Sequence, residues 1–229
     1  DDTDTLQVTG NNVNLVDDIF FQWSNIEVLN TTGTNASIRL NAIANVTSFD
    51  TVTLTGGNST VTLDEGFNRS ITVNLGAVTG TDVIDAGTAP GSVTINAVAS
   101  MFDAGDTFTG SATSTADVIN ITADGGTADL DGMTNIETVN ILDGGASVTV
   151  NLGADTTIAN GTTLTVDGST LDTGENITFD ASAIVGAGST QQLNLTTGAG
   201  DDRITGGAGI NTINAGAGDD DITGGASAD

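Results

Sequence analysis

The stretch Thr197-Gly-Ala-Gly-Asp-Asp-Arg-Ile-Thr205, Gly206-Gly-Ala-Gly-Ile-Asn-Thr-Ile-Asn214, Ala215-Gly-Ala-Gly-Asp-Asp-Asp-Ile-Thr223 repeats with a period of nine, and a fourth unit runs from Gly224 to Asp229. Glycines hold positions two and four (Gly198/Gly200, Gly207/Gly209, Gly216/Gly218). An Asp or Asn holds position six (Asp202, Asn211, Asp220) and an isoleucine position eight (Ile204, Ile213, Ile222). A flexible Gly/Asp-rich linker is the plain alternative, but a linker has no reason to place an aliphatic residue every ninth position.

Each position has a physical role. Glycine permits turns with φ > 0 and leaves backbone carbonyls uncrowded. A carboxylate at position six is a hard oxygen ligand, suited to Ca²⁺ rather than to a soft metal. The aliphatic at position eight points inward from a strand of two or three residues. If two units make one coil, Asp202 stacks on Asp220 and Asn211 on Asp229. Stacked strands lie ~4.8 Å apart, so neighbouring carboxylates repel by roughly 0.9 kcal/mol even in water. A divalent cation between them converts that repulsion into coordination.

On these residues the tail resembles the RTX (repeats-in-toxin) family of secreted bacterial proteins, whose unit is Gly-Gly-x-Gly-x-Asp-x-U-x. The resemblance covers about thirty-three of the 229 residues. Departures are Thr197 and Ala215 at position one, Asn211 at position six and Ser227 at position four. It implies several Ca²⁺ ions held by Gly198, Gly200, Asp201, Asp202, Gly207, Gly209, Asn211, Gly216, Gly218, Asp219, Asp220 and Asp229. The row containing Asn211 carries one fewer charge and is expected to bind more weakly.

Upstream, the chain reads as short β runs separated by Gly, Asn, Asp and Thr, with one proline, Pro90. Apolar residues alternate with Thr or Asn in runs such as Thr51–Leu54, Thr60–Leu63, Val118–Thr122 and Ile177–Asp180, which is the period of a strand with one buried face. Many runs begin Asp-x-aliphatic or Asp-x-Phe: Asp4/Leu6, Asp50/Val52, Asp82/Ile84, Asp106/Phe108 and Asp117/Ile119. The tail begins its strands the same way. Residues 1–196 therefore read as an irregular, longer-looped form of residues 197–229, and the whole as an all-β, right-handed parallel β-solenoid (β-helix) ending in an RTX calcium β-roll. By the same pattern Asp4, Asp82, Asp85, Asp103, Asp106 and Asp117 are further candidate ligands. Echoes such as Ser70-Ile-Thr-Val-Asn-Leu-Gly76 with Ser147-Val-Thr-Val-Asn-Leu-Gly153, and Asn25-Ile-Glu27 with Asn135-Ile-Glu137, suggest a duplication with modules near 1–114 and 115–196. A β-sandwich followed by the tail, or two separate β domains, are the competing architectures. Sparse large aromatics favour the narrow core of a solenoid.

Thirty acidic residues face three basic ones, a formal charge of −27. That balance argues against nucleic acid and against insertion into a membrane, since nucleic acid and anionic lipid both reward Lys/Arg clusters. No apolar run is long enough to span a bilayer. Without His or Cys, Ser-His and Cys-His nucleophiles and ordinary zinc sites are excluded. Acidic pairs such as Asp17-Asp18, Asp64-Glu65, Asp103/Asp106 and Asp219–Asp221 lie in Gly-rich turns, where cation binding or solvation explains them better than sugar hydrolysis. The chain is expected to be non-catalytic. Its start without methionine and its end inside a repeat are expected of a piece of a longer protein.

The Thr/Asn/Gly/Ala-rich composition ahead of the repeats also resembles bacterial surface-layer proteins of the Caulobacter type. In that family calcium drives assembly of a crystalline coat, and the repeats lie near a type I secretion signal. The resemblance implies a secreted protein at the bacterial cell surface that associates with itself into a lattice or filament, with cell-surface polysaccharide as a further candidate partner. An RTX adhesin or the carbohydrate-binding module of a secreted enzyme is the alternative. The cluster Phe20-Phe21-Gln22-Trp23 marks either a packed corner or a contact with a subunit or sugar.

Overall fold

The computed structural model describes residues 3–16, 26–41, 50–76, 80–158, 162–184 and 192–225. Asp17-Asp18, the Phe20–Trp23 cluster and Asp229 lie outside the described residues.

In chain order the first strands are β1 (Thr5–Val8), β2 (Asn14–Leu15), β3 (Val28–Thr31), β4 (Ser37–Leu40), β5 (Thr51–Leu54), β6 (Thr60–Leu63), β7 (Ile71–Leu75), β8 (Val83–Asp85), β9 (Val93–Val98) and β10 (Thr107–Thr109). They continue as β11 (Val118–Thr122), β12 (Thr127–Asp129), β13 (Thr138–Leu142), β14 (Val148–Asn151), β15 (Thr163–Asp167), β16 (Ile177–Asp180), β17 (Gln192–Thr196), β18 (Arg203–Thr205), β19 (Ile210–Asn214) and β20 (Asp221–Thr223). All odd-numbered strands form one ten-stranded sheet, and its neighbours pair in parallel. Even-numbered strands form two five-stranded sheets, β2 to β10 and β12 to β20. The chain is thus an all-β parallel solenoid with ten rungs on one face. Among the described residues, helix is confined to a 3-10 turn, Ala99–Met101, and no helix is long and apolar enough to cross a membrane.

Alternation in the sequence dictates the packing. Leu6, Leu29, Val52, Val73, Ile95, Ile119, Val139, Val166, Leu195 and Ile213 fall in one register column through the ten-stranded sheet. Opposite them run Leu15, Ile38, Val61, Ile84 and Phe108, then Ala128, Val150, Phe179, Ile204 and Ile222. The position-eight isoleucines of the tail therefore continue core columns begun far upstream. Each fully buried side chain of these columns contributes roughly 1.5–3 kcal/mol against the cost of ordering the chain, whereas Ile222 on the last rung is 48% exposed. Phe67, Phe102, Phe108 and Phe179 are fully buried, and Phe102 meets Phe108 edge to face with centroids 5.5 Å apart.

Outward positions are also stacked. Asn96 donates to Asn74 at 2.8 Å, Asn120 to Asn96 at 2.7 Å and Asn140 to Asn120 at 2.8 Å, a ladder of side-chain amides along the sheet. The second face is broken once. β12 rests on the corner after the 3-10 turn, through the Asp129 N–H to Phe102 carbonyl bond at 3.0 Å. The line of β10 continues only as single bridges through Thr134 and Thr157.

Candidate metal centre

The tail stacks as its nine-residue period requires. The Asp202 N–H donates to Asp220 Oδ1 at 3.0 Å, and the Asp219 N–H to Asp201 Oδ1 at 2.9 Å. The Ala217 N–H reaches the Gly198 carbonyl at 3.2 Å, and the Asp221 N–H the Asp202 carbonyl at 2.8 Å. Each pair is separated by 18 residues or close to it, two nonapeptides per coil. Gly216 and Gly218 have φ of +80° and +141°, and a Cβ on either would collide with the carbonyl oxygen of Gly198 or Gly200 beneath it. Only glycine lets the two turns approach this closely, and the approach lines their carbonyl oxygens along one edge.

Asp202 is the centre of the row. It is 2% exposed. Its Oδ1 accepts the Ile177 N–H at 2.7 Å from the coil before, whereas its Oδ2 is buried without a hydrogen-bond partner. Burial pushes this carboxyl above the usual range, and the charges of Asp220 and Asp201 add to the push. The Ile177 N–H bond, and the nearby Thr197 hydroxyl that itself donates to the Ala215 carbonyl at 2.7 Å, pull the other way. An ionised carboxylate oxygen with neither donor nor counter-charge is costly to bury. The neighbouring Arg203 pairs instead with exposed Asp221 at 3.6 Å. A hard divalent cation fits what is present: an orphaned anionic oxygen, neighbouring carboxylates and turn carbonyls. Asp202, Asp220, Asp201 and the Gly198 and Gly200 carbonyls are the groups that would hold it. Bound there, Ca²⁺ neutralises the stacked carboxylates and crosslinks successive coils. Among the described residues no three His, Cys, Asp or Glu side chains are arranged to hold a metal ion by themselves, so backbone oxygens must complete the six to eight ligands that Ca²⁺ takes.

The Asn211 turn is built differently. Asn211 is 6% exposed, and its Nδ2 donates to the Gly207 carbonyl at 3.0 Å and the Gly209 carbonyl at 2.9 Å. Its Oδ1 accepts the Gly207 N–H at 3.1 Å. The amide therefore occupies the carbonyls that an aspartate would leave facing an ion.

The upstream candidates divide. Asp4 and Asp85 are exposed; the Asp4 backbone N–H donates to Glu27 Oε2 at 2.8 Å, and Asp85 Oδ1 closes a turn on the Gly87 N–H at 3.0 Å. Asp117 is fully buried and satisfied, accepting the Val93 N–H at 2.7 Å and the Ser111 N–H at 3.1 Å. Asp82, Asp103 and Asp106 come together at one corner, bridging the coils of β8 and β10. Sequence reasoning gave no role to Glu27 and Glu137, which accept the N–H groups of Asp4 and Asp117 from the next coil at 2.8 and 3.0 Å. The signal was there in the repeated Asn-Ile-Glu. Burial pushes the Glu137 carboxyl up.

A family model for the RTX calcium-binding nonapeptide repeat, in four copies, matches residues 196–229. No curated protein and no solved structure matches the chain. The matched segment is the one whose glycine turns and orphaned carboxylate were derived above from geometry. Residues 196–229 belong to the RTX family of calcium-binding nonapeptide repeats, carried on a parallel β-solenoid.

Proposed function

We propose that this chain is a structural, calcium-dependent cell-surface assembly protein of surface-layer type, in which Ca²⁺ binding drives folding and assembly after secretion. RTX repeat proteins are generally secreted, which supports a location outside the cell. The observation that carries the reading is the continuity of the calcium repeats with the solenoid: Ile213 extends the core column that begins at Leu6, and Ile204 and Ile222 extend the column that begins at Ala128. Ions bound in the tail therefore stabilise a rod rather than an isolated appendage. Without Ca²⁺ the −27 charge opposes compaction, which suits export of an unfolded chain. Outside, each site filled at a hundred times its Kd adds about 2.7 kcal/mol. The rod is a scaffold and not a catalyst in this reading, and its Thr/Asn-lined ten-stranded sheet is the face for self-association.

Electron microscopy in millimolar Ca²⁺ and in EGTA tests assembly. Ordered sheets or filaments that appear with Ca²⁺ and dissolve in chelator are expected. A soluble monomer that binds a glycan overturns the assembly reading in favour of an adhesin or carbohydrate-binding module. Circular dichroism tests the folding step; an unchanged β spectrum in EGTA removes the coupling between calcium and folding.

A further inference from the structure

The Asp202 corner has a counterpart about five coils upstream, beyond the residues that the RTX repeat covers. Asp82 is 1% exposed, precedes a strand of the second face, and stands between Gly80 and Ile84 as Asp202 stands between Gly200 and Ile204. Its Oδ1 accepts the Ser59 N–H from the coil before at 2.7 Å. Its own N–H donates to Asp106 Oδ1 on the coil after, also at 2.7 Å. Asp202 makes the same two bonds, to Ile177 N–H and Asp220 Oδ1. A further aspartate flanks each pair, with the coils reversed: Asp103 accepts the Gly80 N–H from the coil before at 3.1 Å, and Asp201 accepts the Asp219 N–H from the coil after at 2.9 Å. Above all, Asp82 Oδ2 is buried and without a partner, as is Asp202 Oδ2, and these are the only two carboxylate oxygens in that condition among the described residues.

The geometry points to a second divalent-cation site, of calcium type, at the Asp82–Asp103–Asp106 corner. The chemistry is that of the tail. Asp82 Oδ2 is a buried anionic oxygen lacking a donor, and Asp103, half-buried at the mouth, adds a second carboxylate. Asp106 spends both oxygens on the N–H groups of Asp82 and Asp103, the latter at 2.8 Å, and so positions the other two rather than ligating with a free oxygen. The charges of Asp82, Asp103 and Asp106 repel one another. Hard oxygens alone select Ca²⁺ over soft metals, and the missing ligands would be backbone oxygens and water. A proton is the competing occupant, since burial pushes Asp106 up to about 6 and raises Asp82 as well.

Calcium chloride titrated by equilibrium dialysis at neutral pH, on the full chain and three variants, decides between them. Asp82→Asn keeps the Oδ1 acceptor and replaces the orphaned oxygen by an amide. It is expected to bind one ion fewer than the unaltered chain while the tail ions stay. Asp103→Asn, at the half-exposed mouth, leaves the buried bonds intact and is expected to weaken one ion roughly tenfold, about 1.4 kcal/mol. Asp202→Asn/Asp220→Asn is expected to lose tail ions and keep the upstream one. A folded Asp82→Asn chain with the full complement overturns the proposal. So does an unchanged set of affinities in Asp103→Asn, which is read even where Asp82→Asn does not fold. A full complement in the tail variant overturns the tail assignment alone, so the two failures are distinguishable.

Discussion

Substituting Asn211 by Asp is expected to make the tail less stable without calcium and more responsive to it. The amide of Asn211 donates to the Gly207 and Gly209 carbonyls at 3.0 and 2.9 Å while accepting the Gly207 N–H at 3.1 Å. Aspartate keeps the acceptor and loses both donors. Two hydrogen bonds at ~0.5–1.5 kcal/mol each put the loss at about 1–3 kcal/mol, and leaving two buried carbonyls beside a carboxylate places it in the upper part of that range. In calcium the sign reverses. The carboxylate and the two freed carbonyls become oxygen ligands, and one added site filled at a hundred times its Kd returns about 2.7 kcal/mol.

Urea unfolding followed by far-UV circular dichroism, in EGTA and in millimolar CaCl₂, reads both effects. With a slope of ~1–3 kcal/mol per molar, the chelator midpoint should fall by roughly 1 M and most of the fall should vanish in calcium. Because a solenoid's stability is a sum over neighbouring coils, the shift belongs to the tail transition where the curve shows more than one. A chelator midpoint equal to that of the unaltered chain would mean that the Asn211 amide does not hold the turn. A calcium increment no larger than in the unaltered chain would mean that the Gly207 and Gly209 carbonyls are not potential ligands.

Asp220→Ala removes the acceptor of the Asp202 N–H; calcium affinity of the Asp202 row should fall while the Gly207 and Gly209 amide resonances stay in place, and equal disturbance of both turns refutes two separate rows. In EGTA, stability should decline as pH rises from 3.8 to about 6, because Asp106 keeps a proton in the fold that the unfolded chain has already released. Asp167 and Asp180, held low chiefly by the Ser169 and Ser182 hydroxyls, act in the opposite sense and only below 3.8, so melting temperatures that climb between 4 and 6 refute the buried-carboxyl account. Asn120→Ala breaks the amide ladder at two bonds of 2.7 and 2.8 Å and should cost about 1–3 kcal/mol in calcium, read from the thermal midpoint; no change would show that the ladder is decorative.

The fold was largely legible because a solenoid writes its register into the sequence twice, in the alternation within a strand and in the spacing between coils. Runs such as Thr51–Leu54, Thr60–Leu63, Val118–Thr122 and Ile177–Asp180 appear as strands with those bounds. Asn14–Leu15 and Thr127–Asp129 escaped notice because two or three residues carry too little alternation to stand out, and coil stacking rather than local propensity makes them strands. The tail site was legible at the level of the nonapeptide, since its glycines and carboxylate each answer a geometric need. The Asn211 turn was not. Replacing a charge by an amide reads in sequence as a weaker ligand, whereas in space the amide supplies donors and closes its own loop. The break in the second face was equally hidden, because it depends on Ala99–Met101 forming a corner on which β12 can rest.

One device runs through the chain, an aspartate immediately before a strand that accepts an N–H from the coil beneath, and what it does depends on its second oxygen. In Asp117 that oxygen accepts the Ser111 N–H, supplied by the longer connection between β10 and β11. In Asp106 it accepts the Asp103 N–H from the turn after the 3-10 segment. Such carboxylates are complete as hydrogen-bond acceptors and serve as staples between coils. In Asp82 and Asp202 the connection provides no second donor, and the oxygen is left buried and bare. Loop length thus decides whether the same residue at the same place is a staple or a ligand. The nonapeptide is the limiting case: with nine residues per half-coil there is no spare turn from which to bring a donor. The most regular part of the solenoid is therefore the part that must rely on an ion.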